Sequence, residues 1–427
     1  MNLIIEKTKT LSGEVTIPGS KSHTIRGVII GSLAHGVSEI RNPLVSADTM
    51  ASVCGCRELG AKINTSDSKN WIIEGFNGTP HKPKKILNLA NSGTSLNLIT
   101  GVVSLGDFET ILDGDDSLRT RPVQPLLDAL NKLGAKAESI KNNGKPPIKI
   151  KGKIRGGETS VDVISSQFLS SLLISTPLVE EDTVINAFNI REVPYIEMTL
   201  KWLEENGIKY EKSNNFTWFK IKGNQKYKSF EKQIPSDWSS ATFLLIAGAI
   251  TKSNILLKGL DINDVQGDKV IIEYLKKMGA DIKIEKEGII IKGGKLYGVE
   301  LDLNNTPDAL PALSIAGCFA EGTTKLYNVA HARIKETDRI KVMAEELSKM
   351  GAKIEEMEDG LIIHNSKIKG TKVNGHYDHR VVMALVLAGL IADGETIVTT
   401  GESINITFPD FVDLMKKLGA KIKTKGI

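Results

Sequence analysis

One short phrase recurs six times along the chain and governs what it can fold into. It reads LGAKI at Gly60, LGAKA at Gly134, NGIKY at Gly207, MGADI at Gly279, MGAKI at Gly351 and LGAKI at Gly419. The glycines stand 74, 73, 72, 72 and 68 residues apart. Each phrase closes an amphipathic stretch, as in PVQPLLDALNKLGAKA and FPDFVDLMKKLGAKI. Apolar residues recur there every three or four positions, which marks a helix with one buried face. A glycine at that point supplies the left-handed backbone that ends a helix. Apolar and β-branched residues follow, and in AKIEEMEDGLIIHN a turn at Asp359-Gly360 is expected to join two strands. Each repeat is therefore a mixed α/β module, and so even a period records duplication. At 427 residues the chain exceeds one ordinary core, so the six modules are expected to close into two lobes of three.

Bulk chemistry narrows the function classes. The net charge of +4 is spread along the chain and aromatic residues make up only 5%, where a nucleic-acid binder shows a basic stripe with stacking rings. No nucleic-acid partner is expected. The N-terminal MNLIIEKTKT reads as a strand and not as a leader. The longest apolar run, Val381 to Ala392, has 12 residues, too few to span a bilayer, so no membrane partner is expected and the location is read as cytoplasmic. Cys54, Cys56 and Cys318 form neither a disulfide framework nor zinc spacing, and are expected to be buried small hydrophobes.

The polar features that interrupt the modules fall at helix starts. PGSKSHTIRG offers Lys21, Ser22 and Arg26 where a helical periodicity begins. LANSGTSLN places Asn91, Ser92, Gly93 and Thr94 before an apolar helix, and SSQFLSSLL places Ser165, Ser166 and Gln167. GDDSLRTRP sets Arg119 and Arg121 at a proline-led helix start. NTPDALPAL offers Asp308, ARIKETDRI crowds Lys335, Glu336, Asp338 and Arg339, and YDHRVVMAL sets out Asp378, His379 and Arg380. Singly, Ser, Asn and Asp are ordinary caps there. Together they put anion-binding groups at one structural point of several modules, and Arg or Lys recurs there although a helix N-terminus gives a cation nothing. If those helices converge, their starts make a strongly positive cavity for small phosphorylated or carboxylated substrates. Asp308 and Glu336 are the carboxylates suited to proton transfer. No nucleophile motif and no metal-ligand cluster is present, so the reaction is expected to be direct, with no cofactor and with charge stabilisation by Lys and Arg.

These motifs, from PGSKS with its arginine through NSGT, SSQ, PYIEMT, KETDR and DHR to FPDF, resemble those of the 5-enolpyruvylshikimate-3-phosphate (EPSP) synthases, or 3-phosphoshikimate 1-carboxyvinyltransferases. The resemblance runs the length of the chain. It implies an α/β (α+β) fold, a two-lobed inverse αβ-barrel of six βαβαββ repeats, three per lobe. Lobe one would comprise residues 1–18 plus 236–427, and lobe two, the acceptor-binding one, residues 19–235. It implies transfer of the enolpyruvyl group of phosphoenolpyruvate to the 5-hydroxyl of shikimate 3-phosphate by addition and elimination, in aromatic amino acid biosynthesis. By matching position, Lys21, Gly93, Arg121, Gln167, Arg339, His379 and Arg380 would bind phosphoenolpyruvate. Lys21, Ser22, Arg26, Ser165, Ser166, Gln167, Tyr195, Asp308 and Lys335 would bind shikimate 3-phosphate. Asp308 would accept the hydroxyl proton, and Glu336 with Lys21 would serve the proton traffic at C3. The two small anions would be the partners of a monomeric enzyme. The sister family of UDP-N-acetylglucosamine enolpyruvyltransferases carries a cysteine in the loop that here reads GDDSLRTRP.

Four positions depart from the family pattern. Asn97 stands where an arginine is usual, Ile406 where a lysine is, and His331 where an asparagine or similar residue is. Glu192 replaces a serine that holds the acceptor's phosphate. A carboxylate about 4 Å from a charge of roughly −2 costs on the order of 8 kcal/mol at an effective dielectric near 20. Glu192 must therefore turn away or pair with Arg191 or Lys335, or the acceptor must lack the phosphate. A paralogue with a different or non-phosphorylated acceptor and a catalytically silent anion-binding protein are the alternatives. Intact Asp308 and Glu336 count against the second.

Overall fold

The computed structural model describes residues 1–426. Its helices, in chain order, are α1 (Lys21–Leu33), α2 (Ala47–Glu58), α3 (Gly93–Val103), α4 (Gln124–Lys132), α5 (Ser166–Ser175) and α6 (Val193–Glu205). They continue as α7 (Trp238–Ile250), α8 (Ile271–Lys277), α9 (Leu310–Phe319), α10 (Arg339–Lys349), α11 (His379–Ile391) and α12 (Phe411–Lys417). The two sets differ in surface chemistry. Even-numbered helices are the amphipathic ones that precede the recurring phrase. Odd-numbered helices are buried on nearly every side, α1 with His23 and Arg26 enclosed, and every residue of α3 and α7 is buried. Helices as apolar all round as α7 and α11 are stable only when enclosed.

All six glycines of the phrase adopt positive φ: 109°, 104°, 74°, 96°, 88° and 102° from Gly60 to Gly419. Behind each, the next residue's amide reaches back to the helix, as from Ala61 N to Cys56 O and from Ala352 N to Leu347 O, both at 3.0 Å. This closure satisfies a carbonyl that the helix end would leave unpaired. A strand follows every time.

Six four-stranded sheets share one topology. In one, Leu87–Asn88 runs parallel to Glu109–Asp113, which pairs antiparallel with Ile148–Lys151, which in turn pairs antiparallel with Lys136–Ser139. With α3 and α4 as its connections, this module reads βαβαββ. The described chain forms two compact units, Gly19–Pro235 and a discontinuous one made of Met1–Pro18 with the chain from Ser236 onward. Each contains three such sheets. In the first, α3 packs against α1 and α5; in the second, α7, α9 and α11 pack on one another.

The chain passes between the units at Pro18–Gly19 and at Pro235–Ser236. As a result, strand Ser12–Thr16 pairs in parallel with Asn254–Lys258, and Glu231–Gln233 with Val37–Arg41. Backbone bonds from Ser20 N to Pro235 O (2.8 Å) and from Asp237 N to Pro18 O (2.9 Å) fix both crossings.

Three local expectations need correction. Cys56 and Cys318 are buried, which pushes both thiols up to about 12, but Cys54 is exposed on the outer side of α2. In the hairpin after Gly351, Met357 pairs with Gly360, so the loop residues are Glu358 and Asp359 and Gly360 already belongs to the second strand. The helix expected at Arg121-Pro122 starts later, at Gln124, because a 3₁₀ turn over Leu118–Thr120 and an extended Arg121 come first. Among the described residues, no helix is long and apolar enough to cross a membrane.

Candidate active site

In the unit Gly19–Pro235 the starts of α1, α3 and α5 carry the residues read from the sequence. Ser92 Oγ accepts from Ser95 N at 3.3 Å, and Ser165 Oγ from Gln167 N at 3.4 Å, so both serines cap their helices. Lys21 opens α1, and its Nζ donates to Asp48 Oδ2 at 3.0 Å. Asp48 lies in the first turn of α2, which Ser46 and Thr49 fix by capping each other's backbone.

Gly93, Thr94, Asn97, Arg121 and Gln167 form one group. Gln167 Oε1 accepts from Asn97 Nδ2 at 2.7 Å, and Gln167 Nε2 donates to Thr94 Oγ1 at 3.1 Å. Asn97 thus orients the Gln167 amide from the position where an arginine was expected. Arg121 Nη2 donates to Asn91 Oδ1 at 2.8 Å, and Asn91 Nδ2 to Asp115 Oδ2 at 2.9 Å. A Cβ on Gly93 would stand 2.9 Å from Arg121 Nη1, so the glycine is what lets the guanidinium approach the start of α3.

Arg26, Ser166, Glu192 and Tyr195 belong to a second group. Arg26 is 1% exposed. It donates to Thr199 Oγ1 (2.9 Å), Ser170 Oγ (3.4 Å) and the carbonyls of Ser22 (3.1 Å) and Tyr195 (3.1 Å), all neutral acceptors. Burial lowers its pKa to about 10, still charged at neutral pH. A cation enclosed among dipoles keeps a strong field that favours a nearby anion. Ser166 Oγ donates to Glu192 Oε2 at 2.8 Å.

In the other unit, Asp308 sits in a 3₁₀ turn ahead of α9 and Arg339 and Arg380 sit in the first turns of α10 and α11. Asp308 Oδ1 accepts from Arg339 Nη1 at 2.6 Å, and its Oδ2 from Arg380 Nη2 at 2.8 Å. Arg339 also reaches Glu336 Oε2 at 2.6 Å and Asp378 Oδ2 at 2.8 Å. Asp378, fully buried, caps α11 by accepting from Arg380 N at 2.9 Å. Burial acts to lower the Arg339 pKa, but Asp378, Glu336 and Asp308 outweigh it and raise it. The sequence led us to expect an excess of positive charge, yet these two guanidiniums face three carboxylates. That pairing locks their direction, and it locks Asp308 between them. Removing Arg339 would leave buried carboxylates opposed, at a cost on the order of 3–5 kcal/mol.

Of the remaining candidates, His379 and His331 are buried, Lys335 is half-buried in the turn before Asp338, and Ile406 ends a 3₁₀ segment. Sequence reasoning missed Asp268. It is 2% exposed and accepts from Ser239 Oγ at 2.7 Å. Burial raises its carboxyl to about 6, Asp308 adds to the rise and Arg380 opposes it. Its signal was present: QGDKV places a carboxylate just before α8, much as Arg121 stands just before α4 and Arg339 opens α10.

The family model for EPSP synthase (3-phosphoshikimate 1-carboxyvinyltransferase) matches residues 5–415. A 3-phosphoshikimate 1-carboxyvinyltransferase of Acetivibrio thermocellus is 51% identical over 424 residues, covering 99% of this chain and 100% of the relative. One from Methanocaldococcus jannaschii is 48% identical over 430 residues, covering 99% of both. A solved structure of EPSP synthase from Acinetobacter baumannii superposes with a TM-score of 0.84 at 29% identity, over 100% of both chains. With its motifs at the helix starts, its six βαβαββ repeats and these relatives, the chain belongs to the EPSP synthase (3-phosphoshikimate 1-carboxyvinyltransferase) family.

Proposed function

We propose that the chain transfers the enolpyruvyl group of phosphoenolpyruvate to the 5-hydroxyl of shikimate 3-phosphate, in the pathway to aromatic amino acids. The observation that carries this reading is Asp308, clamped by Arg339 and Arg380. Two cations favour the ionised form of a carboxylate, the form that accepts a proton, and their pairing fixes its direction.

In the addition step the acceptor's hydroxyl oxygen bonds to C2 of phosphoenolpyruvate, Asp308 takes the hydroxyl proton, and C3 gains a proton. In the elimination step C3 loses a proton, the C2–C3 double bond re-forms and inorganic phosphate leaves. Glu336 and Lys21 carry the traffic at C3. Lys21, Gly93, Arg121, Gln167, Arg339, His379 and Arg380 hold phosphoenolpyruvate. Lys21, Ser22, Arg26, Ser165, Ser166, Gln167, Tyr195, Asp308 and Lys335 hold the acceptor. The unit of residues 19–235 is the acceptor-binding lobe, and residues 1–18 with 236–427 form the other. The reading includes a monomeric enzyme of the cytoplasm, where the two buried thiols stay reduced.

Phosphate release from phosphoenolpyruvate tests the reading. Release with shikimate 3-phosphate and none with shikimate is the expected result. Release with shikimate alone would instead support an acceptor without the phosphate, the reading that Glu192 seated on Ser166 favours.

A further inference from the structure

Arg333 and Asp338 stand at the two ends of the segment that carries Lys335 and Glu336. Arg333 lies in the 3₁₀ turn Ala330–Ile334, and Asp338 caps α10 by accepting from Lys341 N at 3.0 Å. Residues 335–337 between them belong to neither helix nor strand. Arg333 Nη1 donates to Asp338 Oδ2 at 2.7 Å, so one ion pair ties the two ends together. The same guanidinium is anchored from outside. Its Nε donates to Glu358 O at 2.8 Å and its Nη2 to Met357 O at 2.6 Å, and Nη1 also meets Glu356 Oε1 at 2.8 Å. Those acceptors lie at the turn of the hairpin formed by Lys353–Met357 and Gly360–His364. The chain entering the segment rests on that turn too, with Asn328 N donating to Asp359 Oδ2 and Val329 N to Asp359 O, both at 2.9 Å.

The far side of the segment touches the carboxylate cluster. Glu336 accepts from Arg339 Nη2 at 2.6 Å, and Thr337 Oγ1 donates to Asp378 Oδ2 at 3.1 Å. Glu336 therefore stands between a frame set by the hairpin and a frame set by the start of α11. The Arg333 and Asp338 side chains are 24% and 31% exposed. An ion pair so open to solvent adds little to stability. A planar fork aimed at two carbonyls and two carboxylates fixes direction instead. A lysine, a point charge on a flexible stem, cannot make the same set of bonds.

We infer that Arg333 is a positioning residue for the reaction: by stapling Asp338 to the hairpin turn it holds the segment between them, and with it the Glu336 carboxylate, in the place from which Glu336 serves C3 of phosphoenolpyruvate. The inference rests on the function proposed above. It assigns to Arg333 a part in turnover that its small share in stability does not require.

Steady-state phosphate release from phosphoenolpyruvate and shikimate 3-phosphate, with thermal unfolding alongside, tests it in R333Q, R333K and D338N. Asparagine caps a helix as well as aspartate does, so D338N removes the ion pair and keeps the cap of α10. Each variant is expected to lower kcat on the order of 10–10²-fold, the scale of a small misplacement of a reacting group. The KM for phosphoenolpyruvate should stay within about twofold, because Arg339 and Arg380 keep their bonds to Asp308. Tm should fall by no more than about 3 °C. R333Q combined with D338N should lose no more kcat than either alone, since both break one staple. If R333Q fails to fold, D338N reads the same loss. Wild-type kcat in R333K or in D338N, or losses that multiply in the double variant, would overturn the role of Arg333 and leave the proposed function standing. A wild-type chain that releases no phosphate would overturn both.

Discussion

A few side chains bear most of the chemistry, and what surrounds each decides its behaviour. Asp308 is bonded on both oxygens by arginines, so its replacement removes the proton acceptor and frees both cations. D308N should lower the single-turnover rate on the order of 10²–10⁴-fold, the scale of a lost general base, with a much smaller change in KM for shikimate 3-phosphate. Rapid-quench kinetics would show it. Asp268 behaves differently. Its folded-state pKa is raised from 3.8 to about 6 by burial first and Asp308 second. The folded chain therefore holds the proton more tightly than the unfolded one. The stability this gives is complete below about pH 4 and is lost as pH climbs through 6. D268N should be more stable than wild type at neutral pH, on the order of 2–3 kcal/mol, with the gain gone near pH 4. Urea denaturation at the two pH values measures it, and an equal difference at both would refute it. The sequence exposed the members of these clusters through local motifs, because Lys21, Asp308 and Arg339 each sit in a recognisable helix start. It hid their partners. That Asp48 answers Lys21 and Asp378 answers Arg339 depends on packing between elements distant in sequence. The backbone turn that swings Glu192 onto Ser166 has no sequence signature either, since nothing in REVPY demands left-handed φ.

Two glycine roles separate at the level of helices and strands. Those of the recurring phrase end helices by conformation, and at Gly351 the space is open as well: φ is 88° and the nearest atom would lie 4.0 Å from an added Cβ, whereas at Gly60 His81 Nδ1 would lie at 2.7 Å. G351A should cost about 1 kcal/mol through backbone strain alone. Gly101 is a spacer inside α3. A Cβ there would meet Ser175 Oγ at 2.4 Å and Ser171 Oγ at 2.6 Å on α5. G101A forces two enclosed helices apart and should cost roughly 1–3 kcal/mol, with the strain reaching Gln167 at the head of α5. Thermal denaturation and the KM for phosphoenolpyruvate separate the two cases: G351A lowers Tm only, whereas G101A moves both. Repeat number and helix ends were legible because glycine at a helix end acts locally. The enclosure of α11 follows from its apolar run Val381–Leu390, whereas that of α1, which buries His23 and Arg26, has no such signal. The start of α4 was misplaced because extended Arg121 and the 3₁₀ turn before it answer to Asn91, a tertiary partner.

For the molecule as a whole, the two units are each complete in their own sheets and enclosed helices. Ser20 and Pro235 are bonded to one another, so the piece Gly19–Pro235 has adjoining ends. Expressed alone, it should unfold in one cooperative transition and retain far-ultraviolet circular dichroism of mixed α/β type. A non-cooperative melt would show that it needs the rest of the chain. The other unit is closed by a different device. Strand Asn2–Ile5 lies between Thr396–Thr399 and Ile422–Lys425, with Leu3 opposite Val398 on one side and Thr424 on the other. During translation this segment is made long before either of its neighbours. Its amides and apolar side chains wait, unpaired, until Thr396–Thr399 and Ile422–Lys425 emerge. A nascent chain released early would carry an open strand edge of the kind that seeds aggregation.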